Sequence, residues 1–280
     1  MRPVMRSALA LSLAIPFSVM ADGISIGIGH DDHIDASWGS RGYVTLSTQT
    51  ITAQAVDKKE RLLVAGYSST GSVVTRLLAN GQPDTSFGPG GTRAITSINE
   101  NIFERPNNII PLADGGMLVV VNRLLTEPTP LLQTKVIHVS ASGSVSATYG
   151  GEGRAQFDGM VRQAFRDSQG RLYLLTTNST AGVEIGKKQW WLRRLLSNGL
   201  PDVAFGEDGI MTLPDAISLV MTQRVGEAVQ VRHYDADNGC DSRVLDILDD
   251  VIVDTSCSGE AGYPIILFSA PDSGSPDPEV

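Results

Sequence analysis

Short apolar runs bounded by turn residues recur along the whole chain. In the first unit these are, in order from its opening strand, YVTLST (43–48), ITAQAV (51–56), RLLVAGYS (61–68) and SVVTRLL (72–78). They are rich in Val, Ile, Thr, Leu and aromatic residues, which is the pattern of strands and not of helices. Alternation of apolar and polar positions is partial, as in strands covered on both faces. A turn residue precedes an apolar run at Glu60, Gly116, Gly170 and Gly226, at spacings of 56, 54 and 56. The pattern predicts an all-β protein built from tandem units.

A second landmark gives the same period. An aromatic residue, glycine, two residues and glycine occur at Trp38-Gly39, Phe87-Gly88, Tyr149-Gly150 and Phe205-Gly206, with gaps of 49, 62 and 56. Asp stands three residues before the aromatic at Asp35, Asp84 and Asp202, and Ser146 fills that place in the third copy. RLLANGQPDTSFGPGG from Arg76 lines up with RLLSNGLPDVAFGEDG from Arg194, and HVSASGSVSATYGGEG from His138 is an eroded version. The Asn-Gly pairs favour positive φ and therefore tight turns. The aromatic is large and apolar enough to anchor the following turn in a core. Repeats thus end near 42, 91, 153 and 209, and a degenerate unit follows.

The stretch Arg-Leu-x-x-Asn-Gly-x-x-Asp-x-x-Phe-Gly-x-x-Gly, at Arg76–Gly91 and Arg194–Gly209, resembles the bacterial delta-60 repeat. That resemblance covers about residues 24–235. It implies a β-propeller of four-stranded blades and carries no common activity or catalytic residues. ISIGIG (24–29) lies where the last strand of a blade belongs. Its partners are expected from VIVDTS (251–256) and PIILFSA (264–270), so that a fifth blade is shared by both termini. Four blades with loose ends are the alternative.

Export changes the boundaries. Arg2 and Arg6 precede the apolar stretch ALALSLAIPFSVM, and Val19 and Ala21 are small residues suited to cleavage after Ala21. The expected organisation is a leader at 1–21, one domain at 22–270 and a disordered tail at 271–280, PDSGSPDPEV. The apolar stretch is too short to span a bilayer, so no membrane insertion is expected after cleavage, and the location is periplasmic or secreted. The whole chain carries a formal charge of −9. Losing two arginines with the leader makes it more acidic, which argues against a nucleic-acid partner. Cys240 and Cys257 are expected to form one disulfide in an oxidising compartment.

Few residues suggest chemistry. His30, Asp31, Asp32 and His33 form the densest set of potential metal ligands, although a solvated turn after a strand is the favoured reading. Asp235–Asp241 contains oxygen ligands in the wrong register for a calcium loop and matches a repeat turn. His138 occupies the slot of Arg76 and Arg194. Trp190 and Trp191 are the candidate ligand-binding aromatics; strand alternation sends them to opposite faces, so at least one belongs to the core. Asp35, Trp38, Gly39, Asp84, Phe87, Gly88, Tyr149, Gly150, Asp202, Phe205 and Gly206 are structural positions of the repeat. The expected function is a non-catalytic binding or scaffold module without a cofactor, with a protein or carbohydrate as ligand. A hydrolase or lyase at a central channel mouth and a surface or adhesion component are the alternatives.

Overall fold

A computed structural model describes residues 19–20, 23–27, 29–30, 33–46, 50–68, 70–97, 101–126, 130–178, 188–216, 218–223, 229–234, 243–248 and 251–257. The leader to residue 18, Asp31, Asp32, the 235–242 segment, PIILFSA and the 271–280 tail lie outside them. Among the described residues no helix is long and apolar enough to cross a membrane.

The chain begins with β1 (Val19–Met20), β2 (Gly23–Gly27), a small ribbon of β3 (Gly29–His30) and β4 (His33–Ile34), and β5 (Tyr43–Leu46). β1, β2 and β5 pair in that order as a first, three-stranded sheet. Four four-stranded antiparallel sheets follow, each a meander in chain order. Sheet I holds β6 (Thr50–Val56), β7 (Leu62–Ser68), β8 (Gly71–Leu77) and β9 (Thr92–Ala94). Sheet II holds β10 (Ile102–Pro111), β11 (Met117–Leu125), β12 (Leu131–Val139) and β13 (Arg154–Asp158). Sheet III holds β14 (Met160–Arg166), β15 (Leu172–Thr177), β16 (Lys188–Leu195) and β17 (Ile210–Ala216). Sheet IV holds β18 (Ser218–Gln223), β19 (Val229–Tyr234), β20 (Arg243–Leu248) and β21 (Val251–Cys257).

The second strands of sheets I to III are apolar on both faces, because each of these sheets is sandwiched between its chain neighbours. In β7, Leu62 and Val64 pack with Trp38 and Leu46 of the preceding unit. The alternate residues Leu63 and Ala65 pack with Met117, Val119 and Val121 of sheet II. Leu118 and Val120 then meet Leu172 and Leu174 of sheet III. Tyr173 and Leu175 meet Leu219, Met221, Val229 and Val231 of sheet IV. Burying one such Val or Leu side chain contributes about 1.5–3 kcal/mol. The first strands β6, β10, β14 and β18 touch one another in sequence. The stack therefore has one side where first strands meet.

Three expectations change. YVTLST is not the opening strand of a unit: β5 pairs back onto β2, and sheet I takes β9 as its last strand. The aromatic-Gly-x-x-Gly turn reverses the chain, so the strand after it closes the sheet before it. VIVDTS is likewise not a partner of the N-terminal strand, because β21 pairs with β20 inside sheet IV. Finally, Cys240 and Cys257 are not at disulfide distance, and the expected bridge is absent. Cys257 stands opposite Arg243 in the β20–β21 pair, and Cys240 lies outside the described residues. A disulfide needs Cα atoms about 4.4–6.8 Å apart, a separation that directly opposed strand residues meet.

Candidate functional site

The repeat positions serve the fold in a specific way. Each Asp accepts hydrogen bonds from the residue two places on. Asp35 Oδ1 takes Ser37 N at 2.9 Å, Asp84 Oδ1 takes Ser86 N at 3.1 Å, and Asp202 Oδ1 takes Ala204 N at 3.3 Å. The amides of Trp38, Phe87 and Phe205 donate to the Asp carbonyls at 3.0, 2.9 and 2.9 Å. In the eroded copy, Ser146 Oγ accepts from Tyr149 N at 3.1 Å instead.

The second carboxylate oxygen holds a buried arginine. Arg76 Nε donates to Asp84 Oδ2 at 2.8 Å, and Arg194 Nε donates to Asp202 Oδ2 at 2.7 Å. Each guanidinium also lies over the repeat aromatic, 4.6 Å from the Phe87 centroid and 4.4 Å from that of Phe205. Arg76 Nη1 reaches into sheet II and donates to the carbonyls of Gly115 (3.2 Å) and Ala141 (2.8 Å). Arg-x₇-Asp-x₂-Phe is thus a clasp within a unit and, at Arg76, a staple to the next. In sheet II all three members change together, to His138, Ser146 and Tyr149. The His138 and Tyr149 rings lie 5.8 Å apart, and neither His138 Nε2 nor Tyr149 Oη has a hydrogen-bond partner.

The turn glycines complete the coupling. Gly81, Gly143 and Gly199 have φ of 81°, 80° and 84°. A Cβ on Gly81 would lie 2.7 Å from the Trp38 ring, and one on Gly199 would lie 2.5 Å from the Tyr149 ring. The rings of Trp38 and Tyr149 are therefore covered by the glycine turn of the next unit, and the Gly143 turn lies against the Phe87 carbonyl. Gly39 N donates to Asn80 O and Gly150 N to Asn198 O, both at 2.8 Å.

The other candidates are scattered. Trp190 is buried among Leu175, Phe205 and Leu213 between sheets III and IV. Trp191, on the opposite face, is half-buried. His30 and His33 are opposed across the β3–β4 ribbon, while Asp31 and Asp32 lie outside the described residues. Among the described residues no group of three or more His, Cys, Asp or Glu is placed to hold a metal ion.

The site that sequence reasoning missed lies between sheets I and II. A cavity of about 490 Å³ opens there. Its apolar walls are Ile95 at the end of sheet I and Ile102, Ile137 and Val145 of the second unit. Its polar wall is a row of charges across β10, β11 and β12. Glu104 Oε1 accepts from Arg123 Nε at 2.7 Å and from Lys135 Nζ at 2.9 Å. Arg123 Nη1 donates to Gln133 Oε1 at 3.1 Å and to Gln156 Oε1 at 3.3 Å. Glu104 is 9% exposed and its Oε2 has no hydrogen-bond partner. Burial alone raises the Glu104 pKa. The neighbouring Thr96 hydroxyl, the Lys135 hydrogen bond and the Lys135 and Arg123 charges outweigh it, so the carboxyl titrates below its ordinary range. Burial lowers the Lys135 pKa despite its bond to Glu104.

These charges depart from the repeat. Lys135 stands three residues before His138, where Val73 precedes Arg76 and Trp191 precedes Arg194. The signal in the sequence is faint: single charges inside three otherwise apolar strands. Register brings Glu104 opposite Arg123, and Arg123 opposite Gln133, on one face.

No family model and no curated protein matches the chain. Among solved structures, a chain of a nidogen/laminin complex is similar over 83% of this chain and 89% of its own, at 10% identity and a TM-score of 0.27. That likeness is too low to bear on fold or function.

Proposed function

We propose that the chain is an exported, non-catalytic β-propeller of the delta-60 repeat type that binds a small polar ligand between its first two complete blades. The stacking of sheets in chain order, with first strands touching, supports a radial arrangement. β2 and β5 occupy the third and fourth strand places of a blade, since they flank the Trp38 turn. A strand from the chain beyond residue 257 would pair beside β2 and make a fifth, three-stranded blade. Cleavage after Ala21 would remove β1 and free the edge of β2 for it.

The observation that carries the binding reading is a cavity of ligand size whose lining holds Arg123, Lys135 and Arg154, a positive surface in an acidic chain. The test is a thermal-shift screen of the mature chain with small polar metabolites, run beside Val145→Trp. Val145, 44% exposed on the cavity wall, accepts a blocking side chain without touching the charges. Compounds that stabilise only the parent protein are expected. If every stabilising compound acts equally on Val145→Trp, or none stabilises the parent, the cavity is not a binding site.

A further inference from the structure

Sheet II carries cations where its neighbours carry no charge. Arg123 stands six residues after Met117, the first residue of β11, and the same count from Leu62 and Leu172 reaches Ser68 and Asn178. Lys135 takes the place of Val73 and Trp191. Arg154 follows its repeat glycine where Thr92 and Ile210 follow theirs. Sheets I and III thus form without a charge at any of these three positions, so the fold does not require the cluster. Register sets the three residues on one face across β11, β12 and β13. Arg123 is opposite Gln133, Lys135 is opposite Gln156, and Arg154 is opposite Ile137. All three line the cavity between sheets I and II.

The cluster is short of negative charge. One carboxylate oxygen, Glu104 Oε1, serves both Arg123 Nε and Lys135 Nζ. Glu152, the other acidic residue of the lining, is exposed, and neither it nor Arg154 makes an ion pair among the described residues. Arg123 Nη2 meets no protein acceptor among them. Lys135 Nζ makes one bond there of the three that an ammonium can donate. Burial lowers the Lys135 pKa, and the Arg123 and Arg154 charges press it in the same direction against Glu104. Like charges gathered on a concave surface favour an anion, and guanidinium with ammonium suits an oxyanion. The opposite character appears in the rest of the lining. Ile95, Ile102, Ile137 and Val145 make an aliphatic wall, and no aromatic residue offers a face for stacking.

Resting on the binding reading above, we infer that the cavity takes a small organic anion, an oxyanion head group on a compact aliphatic body. The head lies against Lys135 Nζ, Arg123 Nη2 and Arg154. The body leaves water to pack against Ile95, Ile102, Ile137 and Val145. Neither half suffices alone. An inorganic anion leaves the aliphatic wall wet, and a neutral aliphatic molecule leaves the cationic side unanswered. Carboxylates, alkyl sulfates and alkyl phosphates share this chemistry, and titration separates them.

Isothermal titration calorimetry of the mature chain at low ionic strength, where screening is weak, tests the assignment. Hexanoate, hexyl sulfate and hexyl phosphate carry both halves with three different heads. Acetate and inorganic phosphate carry a head alone, and 1-hexanol carries the body alone. Saturable one-to-one binding of at least one of the first three is expected, at least tenfold tighter than acetate, inorganic phosphate and hexanol. The tightest of the three identifies the head. Arg154→Gln, at an exposed position, should weaken that binding several-fold, Lys135→Met should weaken it further, and Val145→Trp should abolish it. A folded spectrum of Arg154→Gln keeps the charge test valid should Lys135→Met unfold. Hexanol, acetate or inorganic phosphate binding as tightly as the two-part anions overturns the ligand class but leaves a binding cavity. Binding undiminished in Arg154→Gln, or surviving Val145→Trp, overturns the location. No binding by any probe overturns the class as well, and the metabolite screen then decides the cavity.

Discussion

At the residue scale, the clasp of Arg76, Asp84 and Phe87 is where a single change matters most. Arg76 is 1% exposed and its Nε bonds the Asp84 carboxylate. Leaving one partner of a buried pair behind costs about 3–5 kcal/mol. Arg76→Met should therefore lower urea stability by about that amount, and adding Asp84→Leu should restore part of it. Tyr149 predicts the opposite sign. Its buried hydroxyl has no partner, and phenylalanine is what the intact copies carry, so Tyr149→Phe should stabilise by about 1 kcal/mol. Burial pushes the Tyr149 pKa up to about 12. A raised folded pKa gives stability that is whole below the unfolded value of about 10 and is lost as pH rises through the folded one. Alkaline unfolding should thus begin above about pH 10 and be shallower in Tyr149→Phe. Asp84 and Glu104 act at the other end. Burial raises both, but Ser86 and Arg76 hold Asp84 down, and Thr96 and Lys135 hold Glu104 down. Depressed carboxyls stabilise above their unfolded values of about 4 and lose that contribution as pH falls through the folded ones. Urea midpoints should be level from pH 7 to about 5 and fall below about 4, less steeply in Asp84→Asn.

At the scale of elements, the turn glycines separate two causes of strain. Gly90 has φ of 58°, and a Cβ added there would meet nothing within 4 Å, whereas Gly81 has φ of 81° and the Trp38 ring at 2.7 Å. Gly90→Ala should cost about 1 kcal/mol, the left-handed penalty alone. Gly81→Ala should cost clearly more by denaturant titration, since the aromatic must also move. The strands, their period and both turn landmarks were legible in the sequence, because each reflects chemistry local to a few residues. The Asp84 turn, the positive φ of the Asn-Gly pairs and the opposite faces of Trp190 and Trp191 are of this kind. Pairing between distant segments was not legible. YVTLST and VIVDTS look like any other strand, and only the direction of the turn before each decides which neighbour it joins. The Glu104 row was hidden for the same reason: its members are up to 31 residues apart and meet only through register. A bridge between Cys240 and Cys257 follows from count and compartment, neither of which constrains a distance.

At the scale of the molecule, sheets I to III depend on their chain neighbours for cover on both faces, and no disulfide ties Cys240 to Cys257. The unfolded chain should therefore titrate two thiols with Ellman's reagent without prior reduction. A single apolar layer between Tyr173 and Val231 joins sheet IV to sheet III, much as Leu63 and Val119 join sheet I to sheet II. Stability in such an array is a sum of unit and neighbour-contact terms.

The hand-over of the Trp38 and Tyr149 rings to the glycine turns of the following units has a mechanical consequence. Tension applied between the two ends must break these contacts one after another, like beads leaving a string. Each rupture frees a segment of one period. About 55 residues at roughly 3.5 Å apiece correspond to a lengthening of about 190 Å per event. The force trace should be a regular sawtooth, with its smallest tooth where Tyr149 replaces the braced phenylalanine.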